Sequence, residues 1–156
     1  MTLEERLLGA EEARAWSQFL RTSQRLEHRL DRELRTAHGI SHTQYEILVN
    51  LAEPGTEHGN LCMSDLADML ATAKSAITYQ VNQLVERGYV ERVKGEGDQR
   101  NVIVRLTVAG RALLDDVAPA HLDRVRRWFI EQLGPGQLQD LQEALERTCR
   151  QIVGRR

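Results

Sequence analysis

Apolar residues recur at three- and four-residue steps near the start of the chain: Trp16, Phe19, Leu20, Leu26, Leu30, Leu34 and Ala37 fall together, and arginines and acids fall elsewhere. This spacing predicts a helix over about 11–37, stopped by Gly39. Such a helix is about 40 Å long, more than a small domain needs for its own core, and suggests one shared with a partner chain. Ser41 and Gln44 have the spacing of a capping box and open a second helix that carries Tyr45, Leu48, Val49 and Leu51 inward and ends at Glu53. Pro54 to Asn60 reads as a loop, and Leu61–Cys62 as a short strand pairing with a later hairpin.

Two helices follow in quick succession. The first, Ser64 to Leu70, buries Leu66, Ala67 and Leu70; the second runs from about Ala73 to Arg87 and ends at Gly88. Tyr89 to Lys94 is rich in β-formers, Gly95 to Arg100 supplies turn chemistry, and Val102, Val104 and Leu106 alternate as a half-buried return strand. Thr107 reads as the N-cap of a third long helix reaching about Leu133, and Gly110 as a close-packing position. That helix has Leu113, Leu114, Val117, Val125, Trp128 and Phe129 as its apolar set, and Pro119 predicts a bend near Ala118. Gly134, Pro135 and Gly136 break the chain before a last helix, where Leu138, Leu141, Leu145, Cys149 and Ile152 form a narrow stripe.

The fold class is therefore mainly α with a small β wing: a winged helix-turn-helix over 41–107, flanked by helical dimerisation regions at 11–40 and 108–153. The flanking helices carry more apolar surface than a winged helix of this size can cover. A symmetric dimer would bury it and set two recognition helices about 34–36 Å apart, one turn of duplex.

Charge sharpens this picture. The formal net charge of −2 runs against a nucleic-acid binder, yet residues 1–70 are net −5, 71–111 are net +3 and 112–156 are neutral. Both lysines, Lys74 and Lys94, fall in the one basic segment. Local potential is what a phosphate surface needs, since screening limits its reach to about 8–10 Å. No apolar run approaches the roughly 20 residues of a membrane span, and the amino terminus lacks the apolar core of a secretory signal, so a cytoplasmic location is expected.

On a helical wheel of 73–87, Ile77, Gln80, Val81, Leu84 and Gly88 share one side, and Ser75, Thr78, Tyr79, Asn82, Gln83 and Glu86 share the other. The polar side is either a solvated surface or a base-reading face. Its serine, threonine, asparagine and glutamine match base edges of the major groove, Lys74 suits a phosphate or a guanine, and tyrosine suits either role or a thymine methyl. The helix–helix–hairpin context favours the second reading.

Three segments, MSDLADML, ITYQVNQLVERGYVERV and GDQRNVIVRLTVAG, make the chain resemble the multiple-antibiotic-resistance regulator (MarR) family of bacterial transcription factors. The most specific part is Asp98 and Arg100 followed by Leu106, Thr107 and Gly110. The resemblance implies a dimeric, sequence-specific, ligand-responsive repressor that binds an inverted-repeat operator in double-stranded DNA. The recognition helix at about 73–87 then enters the major groove through Lys74, Ser75, Thr78, Tyr79, Asn82 and Gln83. The wing at 94–101, with Lys94, enters the minor groove through Arg100, held by a salt bridge from Asp98. The alternative for Asp98 and Arg100 is an ordinary surface ion pair worth about 0–1 kcal/mol. Two positions depart from the family, which usually has glycine near Ala71 and serine near Ala73. Alanine in a left-handed turn costs about 1–2 kcal/mol, and Thr72 offers itself as a substitute cap. Tyr79 stands where arginine is frequent, so base preference does not transfer.

The resemblance also implies a small aromatic or phenolic effector in a cleft between the dimer helices and the winged helix, for which Trp16, His42 and Tyr45 are the candidates. No metal site and no cofactor are expected: His38 and His42 have a ligand spacing, but Gly39 and Ile40 interrupt it. Cys62 and Cys149, far apart, read as two buried small hydrophobes rather than a zinc or disulfide framework. An enzyme is not expected, since no G-x-S-x-G, P-loop or H-E-x-x-H is present. The competing readings are a winged helix that binds proteins, or a metal- or redox-sensing regulator.

Overall fold

In the computed structural model, residues 1–53, 60–94 and 102–154 are described, without the side chains of 4, 5 and 60. Two compact units divide after Pro119: Met1–Pro119 and Ala120–Arg156.

The first unit begins with a short helix, α1 (Leu3–Leu8), which the sequence pattern did not indicate, and the long α2 (Ala10–His38). Gly39 closes α2 by donating its N–H to Arg35 O at 3.0 Å. Helix α3 (His42–Ala52) starts on a complete capping box: Ser41 Oγ accepts the Gln44 N–H, and Gln44 Oε1 accepts the Ser41 N–H. Tyr45, Ile47, Leu48 and Leu51 all point inward from α3, while Val49 is half-buried.

Strand β1 (Asn60–Cys62) leads into α4 (Met63–Met69), α5 (Lys74–Glu86), β2 (Val90–Lys94) and β3 (Val102–Leu106). The strands form an antiparallel sheet in the order β1-β3-β2, with Leu61 and Arg92 flanking Val104 and Val90 opposite Leu106. Val104 is fully buried, whereas Val102 remains 39% exposed at the outer end of the strand. The core gathers Leu34 and Ile40, the inner face of α3, Leu66 of α4, the inner face of α5, Val90, Val104, and Leu114 and Val117 of α6 (Val108–Trp128). It fixes α5 against the rest of the unit.

Two junctions hold the sheet to α6. Thr107 caps α6 by accepting the Gly110 N–H at 3.0 Å and donates its own hydroxyl proton to Gly88 O at 2.7 Å. At Gly110 a Cβ would lie 2.0 Å from Tyr89 O, so only glycine permits this approach.

Pro119, where the sequence predicts a bend, lies inside α6 and is the last residue of the first unit. In the second unit α6 ends at Trp128, short of the expected Leu133, and a 3-10 turn covers Ile130–Gln132. Bonds from Gln132 N to Phe129 O and from Leu133 N to Ile130 O tighten the chain there, a common way to use carbonyls left over at a helix end. Helix α7 (Gln137–Val153) follows the Gly134–Gly136 break and exposes Leu138, Leu145 and Ile152. Cys149 is exposed on α7 and Cys62 is only partly buried, which corrects the expectation that both cysteines are buried; apolar spacing marks one side of a helix without requiring that anything cover it.

Candidate nucleic-acid interface

Helix α5 separates its two faces cleanly. Ile77, Val81 and Leu84 are fully buried, while Lys74, Ser75, Tyr79, Asn82 and Glu86 are exposed and Thr78 and Gln83 half-buried. Apolar spacing produces the first set, and the core pins the helix so that the second faces solvent.

Both ends of α5 are defined by backbone bonding. At its end, Tyr89 N–H donates to Leu84 O and Gly88 N–H to Val85 O, both at 2.9 Å, with Gly88 left-handed at φ 74°. This is a Schellman motif. The same motif closes α4, where Thr72 N–H donates to Ala67 O at 2.9 Å and Ala71 N–H to Asp68 O at 3.2 Å. There the left-handed residue is Ala71, φ 47°, as the sequence departure led us to expect. Thr72 does not cap α5: its hydroxyl donates to Leu70 O at 2.9 Å, and Ala73 is the N-cap with no side-chain hydrogen bond. Position 73 has the extended backbone of a cap, φ −60° and ψ 135°, and thus α5 starts one residue later than Thr72 capping would place it.

The polar face is wired to its surroundings. Lys74 Nζ donates to Ser64 Oγ at 3.1 Å, which draws the ammonium toward the start of α4. Thr78 Oγ1 donates to Lys74 O at 2.8 Å, so its hydroxyl proton is used within the helix and only its oxygen remains to accept. Gln83 Nε2 donates to Tyr79 Oη at 3.0 Å, and Gln83 Oε1 accepts from Gln44 Nε2 at 2.8 Å. Ser75 and Asn82 lie exposed on the same surface. Lys94 is exposed at the end of β2, paired in register with Val102. Asp98 and Arg100 lie outside the described residues.

Arg87 joins this surface without any expectation from the sequence. Its Nη1 donates to Gly39 O at 2.7 Å and Nη2 to His38 O at 3.5 Å, while the guanidinium lies 5.0 Å over the Tyr89 ring. One arginine thus ties the end of α5 to the end of α2. His38 in turn lies 3.5 Å from Asp116 on α6. A basic residue at the end of α5 was visible, but its target 48 residues away was not.

Of the three candidate effector residues, His42 and Tyr45 lie together and Trp16 stacks elsewhere. Trp16 is 46% exposed and stacks on Phe19 with centroids 6.1 Å apart. Tyr45 is buried, its phenol pushed above its ordinary pKa by that burial, and it stacks on His42 at 6.4 Å. Of the three, only His42 lines an open depression of about 280 Å³, together with Gln24, Glu27, His28, Asp31 and Thr43. Asp31 Oδ1 accepts the His42 backbone N–H at 2.9 Å, and Asp31 Oδ2 lies 2.6 Å from Arg35 Nε. Burial raises the Asp31 carboxyl, but the Arg35 guanidinium and the His42 N–H outweigh it and hold the carboxyl below its usual value. Among the described residues no group of three His, Cys, Asp or Glu side chains is arranged to hold a metal ion. No helix among them is long and apolar enough to cross a membrane.

Comparison with known proteins places this geometry in a family. Residues 40–102 match the model of the MarR family. The chain is 34% identical to AbsC, a MarR family transcriptional regulator from Streptomyces coelicolor, covering 95% of this chain and 98% of that one with a TM-score of 0.86. To Sco3205, a MarR family transcriptional regulator of the same organism whose structure contains DNA, it is 32% identical over 93% of each chain with a TM-score of 0.87. The regulator PecS of Dickeya dadantii is 29% identical over 87 residues, and the match spans only about half of PecS, 52% of its length.

Proposed function

We propose that this chain, which belongs to the MarR family of transcriptional regulators, binds an inverted-repeat operator in duplex DNA as a homodimer and acts in the bacterial cytoplasm as a ligand-responsive repressor. One observation carries the DNA reading: α5 presents Lys74, Ser75, Thr78, Tyr79, Asn82 and Gln83 on one outward surface while its other face is locked in the core. In this reading that surface enters the major groove, and Lys94, Asp98 and Arg100 serve the adjoining minor groove. The DNA bound in the structure of Sco3205 supports it.

The dimer rests on apolar groups that the single chain leaves open: Trp16 and Phe19 on α2, and Leu138, Leu145 and Ile152 on α7. Pairing two copies covers such faces and supplies the two-fold symmetry an inverted repeat requires. The effector reading rests on the depression at Asp31 and His42, with the exposed Trp16 as further aromatic surface and the buried Tyr45 stacked behind His42.

Selection from random duplexes tests the proposal, run with the wild-type chain and with Arg100→Ala. An inverted repeat should be enriched, and Arg100→Ala should keep the central bases but lose preference in the flanking A·T tracts. Absence of any enriched sequence would leave a protein-binding winged helix as the better reading.

A further inference from the structure

We propose that Tyr79 reads its base as a hydrogen-bond donor only, and that the buried Gln44, off the DNA face, is the positioning residue that sets this polarity. The inference rests on the operator-binding reading above.

An amide side chain fits a site in two ways that exchange its oxygen and nitrogen, and its partners decide between them. The backbone N–H of Ser41 can only donate, and it lies 3.0 Å from Gln44 Oε1. Gln44 must keep its oxygen there, which turns its NH₂ outward to Gln83 Oε1 at 2.8 Å. Gln83 is thereby fixed in turn, with its own NH₂ donating to Tyr79 Oη at 3.0 Å. A phenol oxygen that already receives an N–H directs its proton elsewhere. Among the described residues no group accepts that proton, and Tyr79 is 60% exposed on the outward surface of α5.

Polarity therefore passes from a main-chain amide through two glutamines to the tip of a tyrosine. A donor in the major groove pairs with N7 or O6 of guanine, N7 of adenine or O4 of thymine, and rejects the amino groups of adenine N6 and cytosine N4. Gln44 is only 4% exposed, and so its amide stays in this arrangement when DNA arrives. The capping box accordingly has a second consequence beyond starting α3.

The test is selection from random duplexes with wild type, Tyr79→Phe and Gln44→Glu. Glutamate keeps the capping box, since one oxygen still accepts the Ser41 N–H. Its other oxygen accepts from Gln83, whose amide turns over and takes the Tyr79 proton on its own oxygen. Tyr79 then only accepts. We expect Tyr79→Phe to flatten discrimination about two- to tenfold at one symmetric pair of operator positions, the range for a single hydrogen bond. Gln44→Glu should shift that same pair toward amino-bearing base edges and leave the other positions in place. Should Gln44→Glu fail to fold, Gln83→Glu makes the same reversal at a half-exposed position, with weaker binding overall but the same change of base. Identical base frequencies in wild type and the folded glutamate variant, or an unaltered operator for Tyr79→Phe, would overturn the inference while leaving the operator reading intact. No enriched operator for wild type would overturn both.

Discussion

Replacing Ala71 by glycine should make this protein more stable, although glycine usually weakens a chain. Ala71 closes α4 at φ 47°, and the bonds from its own N–H to Asp68 O and from Thr72 N–H to Ala67 O hold it there. A Cβ in that conformation costs about 1–2 kcal/mol, while the extra freedom of glycine in the unfolded chain returns about 0.4–1 kcal/mol. From the central values the net gain is about 0.8 kcal/mol, or roughly 2–3 °C for a chain of this size. Urea unfolding followed by circular dichroism, at one protein concentration so that association is held constant, reads it directly. The midpoint should rise with the slope unchanged. A midpoint that stays put or falls would mean that Ala71 is not strained, and that the α4–α5 turn is held by something other than these two bonds.

Other changes probe the neighbouring junctions. Ala73→Ser adds the missing cap to α5 and should stabilise by about 1 kcal/mol, again by urea midpoint. Gly110→Ala drives a methyl group to within 2.0 Å of Tyr89 O and should destabilise by several kcal/mol, at least about 3, visible as a large drop in melting temperature. Arg87→Ala frees the carbonyls of His38 and Gly39, and hydrogen exchange should accelerate in the last turn of α2 and at the end of α5. Asp31, whose folded pKa is depressed, contributes stability that is present above its unfolded value and lost as pH falls through the folded value. Asp31→Asn should therefore lower the urea midpoint at neutral pH, and the gap from wild type should close below about pH 4. A constant gap would rule out the ionised carboxylate as its source.

Much of this molecule was legible in its residues because local rules and tertiary packing agree. Ser41 and Gln44 form the predicted capping box, Thr107 caps α6, Gly110 sits where backbone meets backbone, and the inner face of α5 is the set Ile77, Val81 and Leu84. Ala71 is left-handed against its own preference, because tertiary packing of α4 and α5 overrides what alanine favours. The misses share a cause. Thr72 has a hydroxyl that either caps forward or bonds back, and only the fold selects Leu70 O. Cys149 lies on a periodic stripe, but periodicity says which side of a helix is apolar, not whether anything covers it. The hydrogen-bond relay from Ser41 to Tyr79 runs through the side-chain amides of Gln44 and Gln83, 39 positions apart, a link no spacing rule contains.

Titration of labelled duplexes across a range of salt, using the selected inverted repeat and a scrambled one, bears most directly on whether α5 reads DNA. The selected duplex should bind one dimer, at least about 10³-fold more tightly than the scrambled one, with both affinities falling steeply as salt rises. Equal affinity for the two duplexes, or binding indifferent to salt, would contradict it.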